Sequence, residues 1–385
     1  MGKAFAFLSL ATILGVLGAG LAGCGPGAQV TLNVATAGDT NMVELQKNVF
    51  GPEFVKKYPN VTVNTVGTGP GDPGSRSIYD KLKAQSSAGK KSWDIDVGVI
   101  HQSIMAEMLK DGLLLQYVPK TTVAKYVVAS DAKNALGTNV EGYVIPMFHS
   151  QTAIAYNPKY VPTPPKNFEE LVAWAKANPK KFGYNGIKGG MSGQAFVAAW
   201  TYWKTGKYDV YAKGPYDKAN EAPWPAVLKE LKAFNEVATI TAGNAGTLDM
   251  LNRGEIYMGA VWVDMFVLWK NEGRMDPSIQ VTLPDPGMPG QPMYLVIPKE
   301  AANKDMAQKF IEMIASPEQQ AKVIVERNGW YPGIDAKEVL PKVSKEGQDK
   351  LFKGVTPDDL AKKGLVFPLT DYFKDLLTAY EDAMK

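Results

Sequence analysis

Short β-branched runs separated by helical patterns constrain this chain more than any other feature. Residues 30–35, 61–66 and 95–100 are three such runs. The first is followed by Gly38-Asp39-Thr40-Asn41, a loop ending in residues that cap helix N-termini. Helical periodicity then continues to Tyr58, with an interruption expected at Pro52, where a backbone donor is missing. Further helices are predicted over 79–87 and 104–110, the latter closed by Asp111-Gly112. This alternation predicts an α/β fold with mostly parallel sheets. A chain of 385 residues exceeds what one ordinary core accommodates, so two lobes are expected.

The later sequence fits that division. Residues 142–156 read as one strand leaving a first lobe and another entering a second. Asn167 is placed to cap a helix over 168–177, whose Phe168, Leu171, Val172 and Ala175 share a face. A second amphipathic helix spans 225–237, and a buried strand spans 256–263. Residues 281–284 are expected to recross to the first lobe, followed by a strand at 294–297 and helices at 305–315 and 317–327. The expected division is 30–147 plus 283–327 for lobe 1, and 148–282 plus 328–385 for lobe 2.

The N-terminus reads as a targeting segment. Met1 to Lys3 are basic, residues 4–21 are apolar and uncharged, and the run stops at Leu21-Ala22-Gly23-Cys24. That tetrapeptide resembles the bacterial lipobox, which implies cleavage after residue 23 and a lipid on Cys24. Cys24 is the only cysteine, and it falls where such processing requires one. Several acyl chains then give a stable anchor that a single one does not. Residues 24–29 form a tether. Removing residues 1–23 takes away Lys3 alone among charged residues, leaving a charge of +2. That near-neutrality argues against a nucleic-acid partner. Two histidines, His101 and His149, and no cysteine beyond Cys24 leave no metal-ligand spacing and no cofactor signature. There is no Gly-x-Ser-x-Gly and no His-Glu-x-x-His, so no enzymatic activity is expected. An exported lipid-anchored hydrolase with paired carboxylates remains the alternative class. Gly69 to Gly74 has the first spacing of a phosphate loop, but Ser75-Arg76 replace its Lys-Ser/Thr and prolines remove its donors. A flexible loop at the cleft edge is expected there instead.

Several landmarks in order resemble the extracellular solute-binding proteins of bacterial ABC importers, the group that includes maltose-type binding proteins. They are residues 54–61 (Phe-Val-Lys-Lys-Tyr-Pro-Asn-Val), 94–97 (Asp-Ile-Asp-Val), 142–146 with 155–157, 164–171 (Pro-Pro-Lys-Asn-Phe-Glu-Glu-Leu), 251–259, and 297–320. The resemblance implies a type II periplasmic-binding-protein fold: two mixed α/β lobes, hinge crossings and a central cleft. It further implies high-affinity capture of a small solute outside the cytoplasmic membrane, by a monomer that delivers it to a permease and its ATPase. Residues 174–196 depart from the maltose-type pattern toward a subgroup with poorly defined solutes.

Candidate contacts lie in loops after strands. Asp39, Thr40 and Asn41 offer hydrogen bonds, with helix capping as the alternative role. His101 follows the third strand. His149, Ser150 and Gln151 sit at the hinge crossing and form the leading polar cluster. Ser192 and Gln194 lie at a helix N-terminus, which suits a polar or anionic group. Trp262 and Asp264 combine an aromatic face with a carboxylate, and Trp330 and Tyr331 are expected to wall the cleft. A sugar or polyol is the preferred solute. A vitamin, a polyamine or a phosphorylated compound is the alternative.

Overall fold

The computed structural model describes residues 29–351 and 354–385; the targeting segment and Cys24 lie outside them. Eleven strands form one sheet: β1 (Val30–Ala37), β2 (Val61–Gly69), β3 (Val97–His101), β4 (Ile145–Tyr156), β5 (Phe182–Tyr184), β6 (Thr239–Ile240), β7 (Met258–Trp262), β8 (Gln280–Thr282), β9 (Met288–Val296), β10 (Tyr331–Pro332) and β11 (Gly364–Val366). Their order is β2-β1-β3-β9-β4-β7-β5-β6, with β8 and β10 paired to β4 and β11 paired to β9.

The first half has parallel β1, β2 and β3; β1 and β3 are covered on both faces, and β2 is a half-exposed edge. Leu32, Val34, Val97 and Val99 enter one core with Phe50, Phe54 and Phe310. Ala35, Ala37 and Ile100 enter the other with Ile78 and Leu82. This is the two-sided burial that makes parallel strands read as continuous apolar runs. The second half is built on β5 and β7, and its core gathers Phe182, Tyr184, Phe196, Trp200 and Phe234. Asn167 caps its first helix, Phe168–Ala177, by accepting the Glu170 N–H at 2.8 Å. Such a cap contributes about 1 kcal/mol.

One strand joins the halves. Ile145–Gln151 of β4 pair with β9, and Thr152–Tyr156 pair with β7. The crossing expected as two strands is thus one continuous strand. Residues 280–282 do not recross, because β8 pairs with Ile154–Tyr156 in the second half; β9 makes the return. The stretch at 67–74 is also not a loop. β2 runs to Gly69 and a helix, Gly71–Ser87, begins two residues later. The C-terminal segment is divided between the halves. Trp330, Ile334, Val339 and Val343 pack in the first core, although the sequence placed everything after 328 with the second. The helix Thr370–Met384 packs in the second through Tyr372, Phe373, Leu376 and Tyr380. Among the described residues no helix is long and apolar enough to cross a membrane.

Candidate functional site

The ends of β1, β3 and β7, the middle of β4 and β9, and two helix starts converge between the halves. They enclose a cavity with about 50 Å³ open to water-sized bodies. At about 10–15 Å³ per water in this measure, that holds only a handful of heavy atoms. Asp39, Asn41 and His101 line it from the first half, and Trp262 and Asp264 from the second. Phe148 and Ser150 of β4 form its floor.

Two carboxylates face this small space. Asp264 is the second residue of the helix Val263–Asn271 and is 8% exposed. Ser150 Oγ donates to Asp264 Oδ1, and Trp330 Nε1 donates to the Asp264 carbonyl at 2.8 Å. Burial nevertheless pushes the Asp264 carboxyl up to about 6, opposed by the Ser150 hydrogen bond and reinforced by the charge of Asp39. Asp39 precedes the helix Thr40–Leu45, but its side chain makes no capping bond. It accepts instead from Asn244 Nδ2 at 2.9 Å, across the gap between the halves. Burial raises its carboxyl, and the Asn244 bond works against the rise.

Asn244 is held for that task. Its Oδ1 accepts from Asn185 Nδ2 and from Ser192 Oγ, each at 2.7 Å, so its amide hydrogens are turned toward Asp39. Gly190, at φ +140°, makes room: a Cβ there would lie 2.6 Å from the Asn244 amide. His101 is buried, and desolvation lowers its pKa, so the ring is neutral. Ser75 Oγ accepts the His101 backbone N–H at 3.0 Å and lies 2.9 Å from Nδ1. The hydroxyl and Nδ1 share one hydrogen bond, whose direction depends on the ring tautomer. Met42, Met191, Met265 and Met293 supply a thioether wall.

The structure thus gathers Asp39, Asn41, His101, Ser150, Trp262 and Asp264 around one cavity. It separates the rest. Thr40 is exposed at the first position of its helix. Ser192 is fully buried behind Asn244, and Gln194 spends its amide on the Ile187 carbonyl at 3.0 Å. Trp330 is core: it is 1% exposed and packs on Phe148 at 4.4 Å between ring centroids. His149, Ser150 and Gln151 are not one cluster, because successive side chains of a strand alternate between faces. Ser150 reaches the cavity and bonds Asp264, whereas His149, Gln151 and Tyr331 line a neighbouring pocket behind the hinge strand, which Ser150 also borders. Sequence reasoning missed Asn244, Gln291 and the methionines. Asn244 opens a helix after Gly243, a signal of the kind that singled out Ser192. Among the described residues no group of His, Asp and Glu is arranged to hold a metal ion.

Residues 52–346 match the family model described as bacterial extracellular solute-binding protein. No curated protein sequence matches. Solved structures match over nearly the whole chain. The maltose-bound MalE3 of T. maritima has a TM-score of 0.73 at 17% identity, covering 92% of this chain and 97% of its own. The Tp0655 (TpPotD) lipoprotein of Treponema pallidum has a TM-score of 0.67 at 14% identity, covering 92% and 99%. An ABC transporter protein from Clostridium perfringens has a TM-score of 0.63 at 20% identity, covering 92% and 100%. At these identities the likeness is one of fold.

Proposed function

This chain belongs to the bacterial extracellular solute-binding proteins, and from that premise we propose that it captures a small organic cation and delivers it to the permease and ATPase of an ABC importer. The family is one of binding proteins, so the hydrolase alternative falls. The same reading takes residues 1–23 as the export signal and Cys24 as the lipid anchor of a monomer outside the cytoplasmic membrane.

One observation carries the solute class: Asp39 and Asp264 line a cavity with no Lys or Arg among its lining residues. A desolvated carboxylate without a counter-charge is costly, and two together are costlier. An ammonium group between them supplies the missing charge. Trp262 offers a face to the cation, and the thioethers offer adaptable contacts to its methylenes. The preference for a sugar or polyol drawn from the sequence is less well served. The cavity is small, and its carboxylates go uncompensated by a neutral solute.

The arrangement also links binding to closure. Asp39 belongs to the first half and Asp264 to the second, so closing an empty cleft brings two desolvated carboxylates together. A cation turns that repulsion into attraction, giving it the differential affinity for the closed state that a conformational change requires.

A thermal-shift panel of diamines, amino alcohols, quaternary ammonium compounds, sugars, polyols and organophosphates tests the reading. At about 100 times its Kd a true solute adds roughly 2.7 kcal/mol to stability. Stabilisation by an amine is expected. Saturable stabilisation by an anion or a neutral sugar, with amines inert, would overturn the reading.

A further inference from the structure

Alternation along β4 sends His149 and Gln151 to the face opposite Phe148, and there the chain encloses a second pocket of about 370 Å³. That is within the range of small-molecule sites. Two polar ends at this pocket are buried without a hydrogen-bond partner among the described residues: Gln102 Nε2 and Asp131 Oδ1. Gln102 is 4% exposed. Leaving such groups unpaired is costly, so an occupant that pairs them gains affinity. The other carboxylate oxygen of Asp131 is engaged by His149 Nδ1 at 3.0 Å, and no Lys or Arg lines the pocket. The opposite wall is apolar, built from Pro332, Leu340, Leu360 and Leu365.

We propose that this hinge-back pocket binds a small neutral polyhydroxylated molecule, a polyol or a monosaccharide. A hydroxyl both donates and accepts, which is what a free amide N–H beside a free carboxylate oxygen calls for. The C–H face of such a molecule suits the leucine and proline wall. The pocket's walls belong to both halves: Leu340 packs against the first core, Leu365 against the second, and Leu360 against both. Strands β4 and β9 lie between it and the cleft, and Ser150 and Gln291 border both. Opening the cleft about these strands brings the walls behind them together, so an occupant at the back holds the closed form. Linkage then makes the polyol and the cleft solute strengthen each other by the same factor.

The test is a titration of the full chain with sorbitol and with glucose, read at the Gln102 side-chain amide by ¹H–¹⁵N correlation. Gln102→Leu assigns the signal. A saturable shift is expected for at least one probe. It should persist in Asp264→Asn, which disables the cleft, and weaken at least about tenfold in Ala336→Trp, which fills the back pocket from an exposed position. No saturable shift with either probe up to about 100 mM, a hundredfold above a Kd of about 1 mM, would overturn the proposal. So would an identical curve in folded Ala336→Trp. Loss of the shift in Asp264→Asn alone would assign the effect to the cleft and overturn the second site.

Discussion

The two faces of the hinge strand differ in charge and in room. Toward the cleft, Ser150 meets Asp264, the enclosed space is about 50 Å³, and two carboxylates stand without a Lys or Arg among the described lining residues. Behind, His149 meets Asp131 at 3.0 Å, and the space is about 370 Å³. Neighbouring residues of one strand thus enter opposite electrostatic settings: an acid paired with a hydroxyl in one, an acid paired with an imidazole in the other. In the first, the carboxylate's side-chain partner is a neutral hydroxyl; in the second, an imidazole stands beside the carboxylate.

The largest test of that contrast is Asp264→Asn. It should lower affinity for the amine returned by the panel by at least about a hundredfold, roughly 2.7 kcal/mol, in a calorimetric titration. The ligand-free melting temperature should hold or rise, since a desolvated carboxylate has been removed. Retained binding would remove Asp264 from the site. Acidification should act in the same direction. The carboxyl of Asp264 is raised in the fold to about 6, so the folded state holds a proton that the unfolded chain has released. The ligand-free protein therefore loses stability from this group as pH rises from about 4 to about 6. Cation affinity changes oppositely: it should fall up to about tenfold per unit below about pH 6. A flat affinity profile across that window would contradict the assignment.

Trp262→Ala should cost about tenfold, near 1.4 kcal/mol. An unchanged Kd in a folded variant would make Trp262 a packing residue. A smaller effect is expected at the rim. Lys374 of the last helix bridges to Glu107 of the first half at 2.8 Å, and Arg76 and Lys374 hold the Glu107 carboxyl down to about 2. Because Lys374 is half-exposed, Lys374→Ala should speed solute release only about two- to fivefold, and added salt should erase the difference. The smallest effect separates the two faces: His149→Ala should change amine affinity less than about twofold. A tenfold loss would mean that the back of the hinge shapes the cleft directly.

The sequence disclosed the scaffold because periodicity is a local signal. The strands at 30–35 and 61–66 and the Asn167 cap are where their residue patterns placed them. Asp39, His101, Trp262 and Asp264 were legible because each follows or ends a strand whose C-terminal end faces the cleft. Trp330 was not. Its neighbours Gly329 and Pro332 mark a turn equally well whether the ring points to the cleft or to the core. The hinge triplet was misread for another reason: residues adjacent in sequence were grouped, although the strand's own alternation divides them. Asn244 lay beyond local reasoning. Its role depends on Asn185, Ser192 and Gly190, brought to it only by the fold.

The central claim, a cation held by ionised carboxylates, is tested most directly by the protons exchanged on binding. The compound that binds, whatever its class, would be titrated calorimetrically at about pH 6 in two buffers of different ionisation enthalpy. Near that pH the Asp264 carboxyl is about half protonated and has to ionise to receive an ammonium group. Net proton release is expected in wild type, and its loss in Asp264→Asn. Proton uptake, or no exchange at all, would show that the solute is not held as a cation between these carboxylates.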